Sequence, residues 1–129
     1  MIEHFNSGQV LPAGVPFPEG TRVGHLLFLS GALGNIPGRL ELVPGGIAAE
    51  ARQTMENIRT VLRGQGLDLQ HLLRCTVMLA DMAEWPAFNE VYKAFFGELP
   101  LPARSAFGAS GLALGARVEV ECIAALPQA

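Results

Sequence analysis

Apolar side chains recur at steps of three and four from Ile47 through Ala51, Met55 and Ile58 to Val61 and Leu62. Glu50, Arg52, Gln53, Glu56, Arg59 and Arg63 fall on other faces. That is the signature of an amphipathic helix, and Gly64 and Gly66 mark its stop. After a turn at 67–70, LLRCTVMLA alternates loosely and is rich in residues that suit a strand. Asp81 is a candidate N-cap for a second helix through AEWPAFNEVYKAFFG, with Pro86 in its first turn. Trp85, Phe88, Val91, Tyr92 and Phe95 give that helix an apolar face, read as core rather than as a ligand box. Following the breaker LPLP, ARSAFGAS and RVEVECIAAL return to strand. In the last of these Val118, Val120, Cys122 and Ala124 share one face, while Arg117, Glu119, Glu121 and Ile123 share the other.

The first third is less regular. A short strand and a loop rich in Pro12, Pro16 and Pro18 lead to TRVGHLLFLS, a strand pair or one long strand ending at Gly31. The stretch 34–46 holds four glycines and two prolines around LEL and predicts a hairpin or loop excursion. Strands, helix, strand, helix, strands in that order predict a single α+β domain over 1–129, a mixed sheet with two helices on one face. The other sheet face carries charges among apolar residues, as a subunit interface containing a site would.

Composition adds to this. Half of the 129 residues are apolar and only 16% are charged, below the usual quarter or so, which predicts apolar surface available for a homo-oligomer. A formal charge of −3 argues against a nucleic-acid binder, which normally presents a basic face. No export pattern opens the chain and no apolar run reaches the length of a membrane span. Cys75 and Cys122 lie in apolar segments and read as buried free thiols of a reducing cytoplasm, with one disulfide as the alternative.

Most catalytic templates fail. Neither a Walker loop nor a dinucleotide-binding glycine motif is present. His4, His25 and His71 are scattered without metal-ligand spacing, so no metal site is expected. Lys93, on the polar side of the second helix, is a poor Schiff-base candidate, and Ser105 and Ser110 lack a nucleophile motif. What remains is Arg104, opening a strand after Pro102-Ala103, and Glu119 on the final strand. On spacing alone these two could equally form a structural salt bridge or stand solvated.

LLRCTVMLADMAEWPAFNEVYKAFF, LPARSAF and GARVEVECIA, in this order and spacing, resemble the Rid family of reactive intermediate deaminases (YjgF-like, or endoribonuclease L-PSP-like). Leu29-Ser30-Gly31 and AAEARQTMENI extend the likeness more loosely into the first half. The resemblance implies a chorismate-mutase-like unit assembled as a homotrimer, with ligand clefts between subunits and no cofactor. It implies that Arg104 binds a substrate carboxylate and Glu119 holds a water, with Ser30 and Gly31 beside the cleft and Asn89 at a polar position of the second helix. Phe17 stands where such deaminases usually carry Tyr, Ala106 where a Cys often follows P-A-R-S, and Ala32-Leu33-Gly34 where Q-I-P is usual. These departures make the N-terminal half of the pocket more apolar.

The implied reaction is hydrolysis of 2-imino acids and their enamine tautomers, of the 2-aminoacrylate type, to 2-oxo acids and ammonia. A bidentate Arg–carboxylate pair would orient the substrate and Glu119 would direct the water. Two other functions compete with it: a non-catalytic binder of small carboxylates such as 2-oxo acids, motivated by Phe17, and an RNA-cleaving translation inhibitor, which the acidic charge disfavours.

Overall fold

The computed structural model describes residues 1–127. Six strands form one sheet: β1 (Glu3–Phe5), β2 (Gly20–Val23), β3 (Leu26–Leu29), β4 (Leu72–Leu79), β5 (Ala103–Gly108) and β6 (Val118–Ala125). The two long helices are α1 (Gly46–Gly64) and α2 (Trp85–Phe96). Spatial order is β1-β2-β3-β6-β4-β5. Only β4 and β5 pair in parallel; the other neighbours are antiparallel. The mixed sheet and the two-helix layer are therefore as expected, and 21–30 proves to be a strand pair.

Both helices lie on one face for a reason of handedness. Because β6 runs antiparallel to β3 and to β4, those two strands are parallel to each other, so β3-α1-β4 and β4-α2-β5 are both parallel crossovers. They step across the sheet in the same direction. Right-handed connections then put both helices on the same side.

The core follows from the strand period of two. Cys75, Val77 and Leu79 of β4 stand opposite Cys122, Val120 and Val118 of β6, and all six are buried under the helices. From α1 come Met55, Ile58 and Leu62; from α2, Phe88, Tyr92 and Phe96. The aromatic stripe of α2 is thus Phe88–Tyr92–Phe96, one turn apart each, with Val91 and Phe95 half-buried. Trp85 is not core: it is 41% exposed. Among the described residues no layer covers the opposite sheet face, which carries Phe28, Thr76, Met78, Glu119, Glu121 and Phe107.

Three polar side chains are internal struts, among them Glu50, expected on a polar helix face, and Glu19, expected in a loop. Glu50 is buried and its Oε1 accepts the Arg117 N–H at 2.9 Å, tying α1 to the start of β6. Asn57, on the same helix, donates from Nδ2 to the Leu33 and Asn35 carbonyls at 2.9 and 3.1 Å. Glu19 is 4% exposed and accepts the N–H groups of Ser7, Val10 and Leu11 at 2.6, 3.3 and 3.1 Å. The helix pattern places Glu50 among charged neighbours, but buried backbone amides need an acceptor, and a carboxylate is a strong one.

His71 is satisfied rather than free: its Nδ1 accepts the Asp68 N–H while Asp68 caps the short 3-10 turn Leu69–His71. Lys93 is exposed, 3.5 Å from Glu90. Cys75 and Cys122 are free and buried, with their sulfurs 3.2 Å apart across the β4–β6 ladder. The Cys122 thiol is held well above its ordinary pKa by sharing its proton with Cys75 and by burial. Among the described residues no helix is long and apolar enough to cross a membrane.

Candidate active site

Arg104 enters on β5, the edge strand, directly opposite Cys75 of β4. Since Cys75 faces the helices, so does Arg104, and so does Ala106 two residues on. The guanidinium carbon lies 4.9 Å from the Tyr92 ring centroid, 5.8 Å from Phe88 and 5.9 Å from Trp85. Each such cation–π contact is worth about 0.5–2 kcal/mol, depending on desolvation. Three rings from successive turns of α2 hold a planar fork in place while its N–H edges stay free. Arg104 takes part in no ion pair among the described residues. A fixed, unneutralised fork is what bidentate carboxylate recognition needs.

Two polar atoms of α2 are also unused. The Asn89 Oδ1 and the Tyr92 hydroxyl are buried without a hydrogen-bond partner among the described residues. Buried polar atoms are normally paired, and orphans call for an explanation. The Tyr92 phenol is pushed far up in pKa by burial and by neighbouring Cys75, which keeps it neutral.

Glu119 lies across the sheet. Its partner on β4 is Met78, on the uncovered face. Its carboxyl pKa is raised, first by burial and second by Glu121 on the same face. A carboxylate lifted toward neutral pH is a better proton acceptor. Gly31 packs against it so closely that a Cβ there would overlap the carboxylate. The strip holding Gly31 is rigid: Ala32 exchanges both backbone hydrogen bonds with Val120, at 2.8 and 3.0 Å, and the Ser30 hydroxyl donates to the Pro18 carbonyl at 2.8 Å. Ser30 and Gly31 also line a cavity of about 300 Å³, together with Phe17 and Leu114.

The predicted residues therefore fall into two clusters. Phe17, Ser30 and Gly31 line one cavity, with Gly31 against Glu119, whereas Ala106 shares the helix-facing side of β5 with Arg104 and Asn89 belongs to α2, whose rings stack on that arginine. Arg104 and Glu119 sit on opposite faces of the same sheet, so the salt bridge that spacing alone allowed is not formed. Within one copy the two side chains cannot hold one small molecule. Sequence reasoning missed Leu114 and the buried Glu19. The G-L-A-L-G run at 111–115 was the available signal for a special turn there, while nothing local marks Glu19.

The family model described as endoribonuclease L-PSP matches residues 8–126. Over 125 residues the chain is 40% identical to the goat (Capra hircus) protein named 2-iminobutanoate/2-iminopropanoate deaminase, covering 96% of this chain and 90% of that one. Among solved structures, RidA from an Antarctic Psychrobacter superposes with a TM-score of 0.85 at 32% identity, covering 95% and 98% of the two chains. The yjgF gene product of E. coli does so with a TM-score of 0.89 at 27% identity, covering 97% and 99%. With the match running through both clusters of site residues, the chain belongs to the Rid family, the family whose model is described as endoribonuclease L-PSP.

Proposed function

We propose that this protein is a cytoplasmic hydrolase that deaminates 2-imino acids and their enamine tautomers to 2-oxo acids and ammonia. The observation that carries the reading is Arg104: a guanidinium fork clamped by three rings, with no carboxylate of its own. The family and the similarity to proteins named imine deaminases support the reaction class. The two free thiols support a reducing compartment.

Arg104 binds the substrate carboxylate and fixes the adjacent C=N carbon. Glu119, its pKa raised by burial, accepts a proton from water as the water oxygen bonds to that carbon and the C=N electrons move to nitrogen. Returned to nitrogen, that proton leaves an amino group on a tetrahedral carbon that also bears the hydroxyl. Glu119 then takes the hydroxyl proton and passes it to the amino nitrogen as the C–N bond breaks, so the C–O pair becomes the carbonyl and ammonia departs. Water and imine balance 2-oxo acid and ammonia.

Because the two side chains lie on opposite faces of one sheet, each complete cleft takes Arg104 from one copy and Glu119 from the next, in a closed ring that we assign as a homotrimer. The uncovered sheet face supplies the apolar contact surface for this assembly.

The test is complementation. Arg104→Ala and Glu119→Gln are each expected to lose at least about tenfold in kcat/KM on 2-iminopropanoate, the lower end for a charge-assisted hydrogen bond. Unfolded together and refolded as a mixture, they should regain activity at about a quarter of the sites, where both natural residues meet. Wild type that does not exceed the spontaneous rate sinks the reaction, an Arg104→Ala protein with full activity sinks the carboxylate fork, and no regain on mixing sinks the shared cleft. Calorimetry that finds 2-oxobutyrate bound but no imine turned over selects a scavenger instead.

A further inference from the structure

We infer that the cavity behind Gly31 is the seat of the substrate's side chain, and that this enzyme prefers 2-imino acids bearing a branched or aromatic apolar group. The inference rests on the imine-hydrolysis reading and goes past it, since carboxylate, imine carbon and water are all served by Arg104 and Glu119. Gly31 links the two places: one side packs against the Glu119 carboxylate, and its backbone also lines the cavity. A molecule whose reacting carbon lies at Glu119 has its next substituent within reach of that space.

The wall chemistry says which part of a ligand belongs there. Each polar side chain that lines it is already engaged within the protein. The Glu19 carboxylate is engaged by three backbone N–H groups, the Asn35 and Asn57 amides donate to backbone carbonyls, and the Ser30 hydroxyl donates to Pro18. The rest of the surface is apolar, with Val10, Ile58 and Val61 at the back and Leu33, Phe17 and Leu114 toward the front. At about 300 Å³ the space is at the lower end of small-ligand pockets. It is far more than the single methyl of 2-iminopropanoate can fill.

The front of the cavity is built against local preference. Leu114 has φ 60° and ψ 15°, the one non-glycine residue with positive φ among those described. A leucine there works against the steric preference of an L-residue, and such strain gathers at ligand clamps. Leu114 is 49% exposed and Phe17 45% exposed. A bound alkyl or aryl group would cover both.

The experiment generates imines in place with an L-amino-acid oxidase from alanine and from leucine, on the full-length protein, with the spontaneous rate subtracted. The expected kcat/KM for the leucine-derived imine exceeds that for the alanine-derived one by about tenfold or more, the lower bound for one added methylene in an apolar pocket. Leu114→Asn, in which asparagine accepts positive φ readily, should bring the ratio down toward one. Turnover of the alanine-derived imine with an equal or lower rate on the leucine-derived one overturns the inference and leaves the reaction standing. If neither imine is turned over, the reaction fails, and calorimetry with 2-oxopropanoate and 4-methyl-2-oxopentanoate decides the cavity alone. Tighter binding of the longer acid upholds it, and equal binding overturns it.

Discussion

Glu19→Gln is nearly isosteric, yet it is expected to be among the most damaging single substitutions in the N-terminal third. Oε1 of Glu19 accepts the Ser7 N–H, and Oε2 accepts the N–H groups of Val10 and Leu11 and the Ser7 hydroxyl at 3.1 Å. Glutamine has one oxygen. With that oxygen in the Oε2 position, the new NH2 confronts the Ser7 N–H, donor against donor, and one charge-assisted bond of about 1.5–3 kcal/mol is lost. The remaining bonds fall from charge-assisted to neutral, about half as strong. Counted as independent bonds the loss is about 4–7 kcal/mol, a large part of the ~5–15 kcal/mol that holds a domain folded. Urea denaturation followed by circular dichroism should show the midpoint fall without a change in slope. Amide hydrogen exchange should show Val10 and Leu11 exchanging faster than the sheet, because the loop can open before the core does. A free-energy change within about 0.5 kcal/mol of zero, the ordinary range for a surface substitution, with Val10 and Leu11 protected as before, would refute the view that this carboxylate pins the loop.

Glu121→Gln removes the lesser cause of the raised Glu119 pKa; the proposed mechanism uses Glu119 as the carboxylate, so the acid limb of the kcat/KM–pH profile should move to lower pH, and an unmoved limb separates Glu119 from that titration. A carboxyl whose folded-state pKa lies above its unfolded value favours folding most below the unfolded pKa, and that advantage fades as pH rises through the folded value. Wild type should therefore lose stability relative to Glu119→Gln over that window in urea titrations. Arg104→Lys keeps the charge but not the fork or the ring stack, so kcat/KM should fall by about 10- to 100-fold, the equivalent of one charge-assisted hydrogen bond; wild-type kinetics would dismiss bidentate binding. Gly31→Ala places a methyl where the Glu119 carboxylate lies; the carboxylate is the end of a flexible side chain and can swing aside, so stability should stay within about 0.5 kcal/mol of wild type while most of the turnover is lost. Retained turnover would mean that Glu119 need not hold its place against Gly31.

The helices and most strands were legible because periodicity is a local property. Ile58 and Leu62, or Val118 and Val120, announce their buried face within a few residues. Sheet order was not, since nothing near 118–125 says that this strand inserts between β3 and β4. The same gap hid the separation of Arg104 from Glu119, which follows from register: Arg104 is opposite Cys75, and Glu119 is opposite Met78. Both residues and their cluster-mates were found by resemblance to the Rid family, with spacing alone leaving a structural role open. Buried Glu19 and Glu50 escaped because the amides that need them are contributed by remote backbone. Trp85 was taken for core since its spacing fits the stripe. It sits at the first turn of α2, where it covers Arg104 instead.

Placing β6 in the middle of the sheet has a kinetic consequence. Until residues 118–125 are available, β3 and β4 each carry an unpaired edge, and the sheet exists only as two fragments, β1-β2-β3 and β4-β5. Raw strand edges pair readily with other chains. Closing the gap requires contacts between segments far apart in sequence, which slows folding. The step that completes the sheet also brings Val120 to Ala32 and Glu119 to Gly31, so one insertion both protects the edges and sets in place the carboxylate proposed to direct water. Partly folded chains should accordingly be sticky and inactive together, and refolding yield should drop as protein concentration rises.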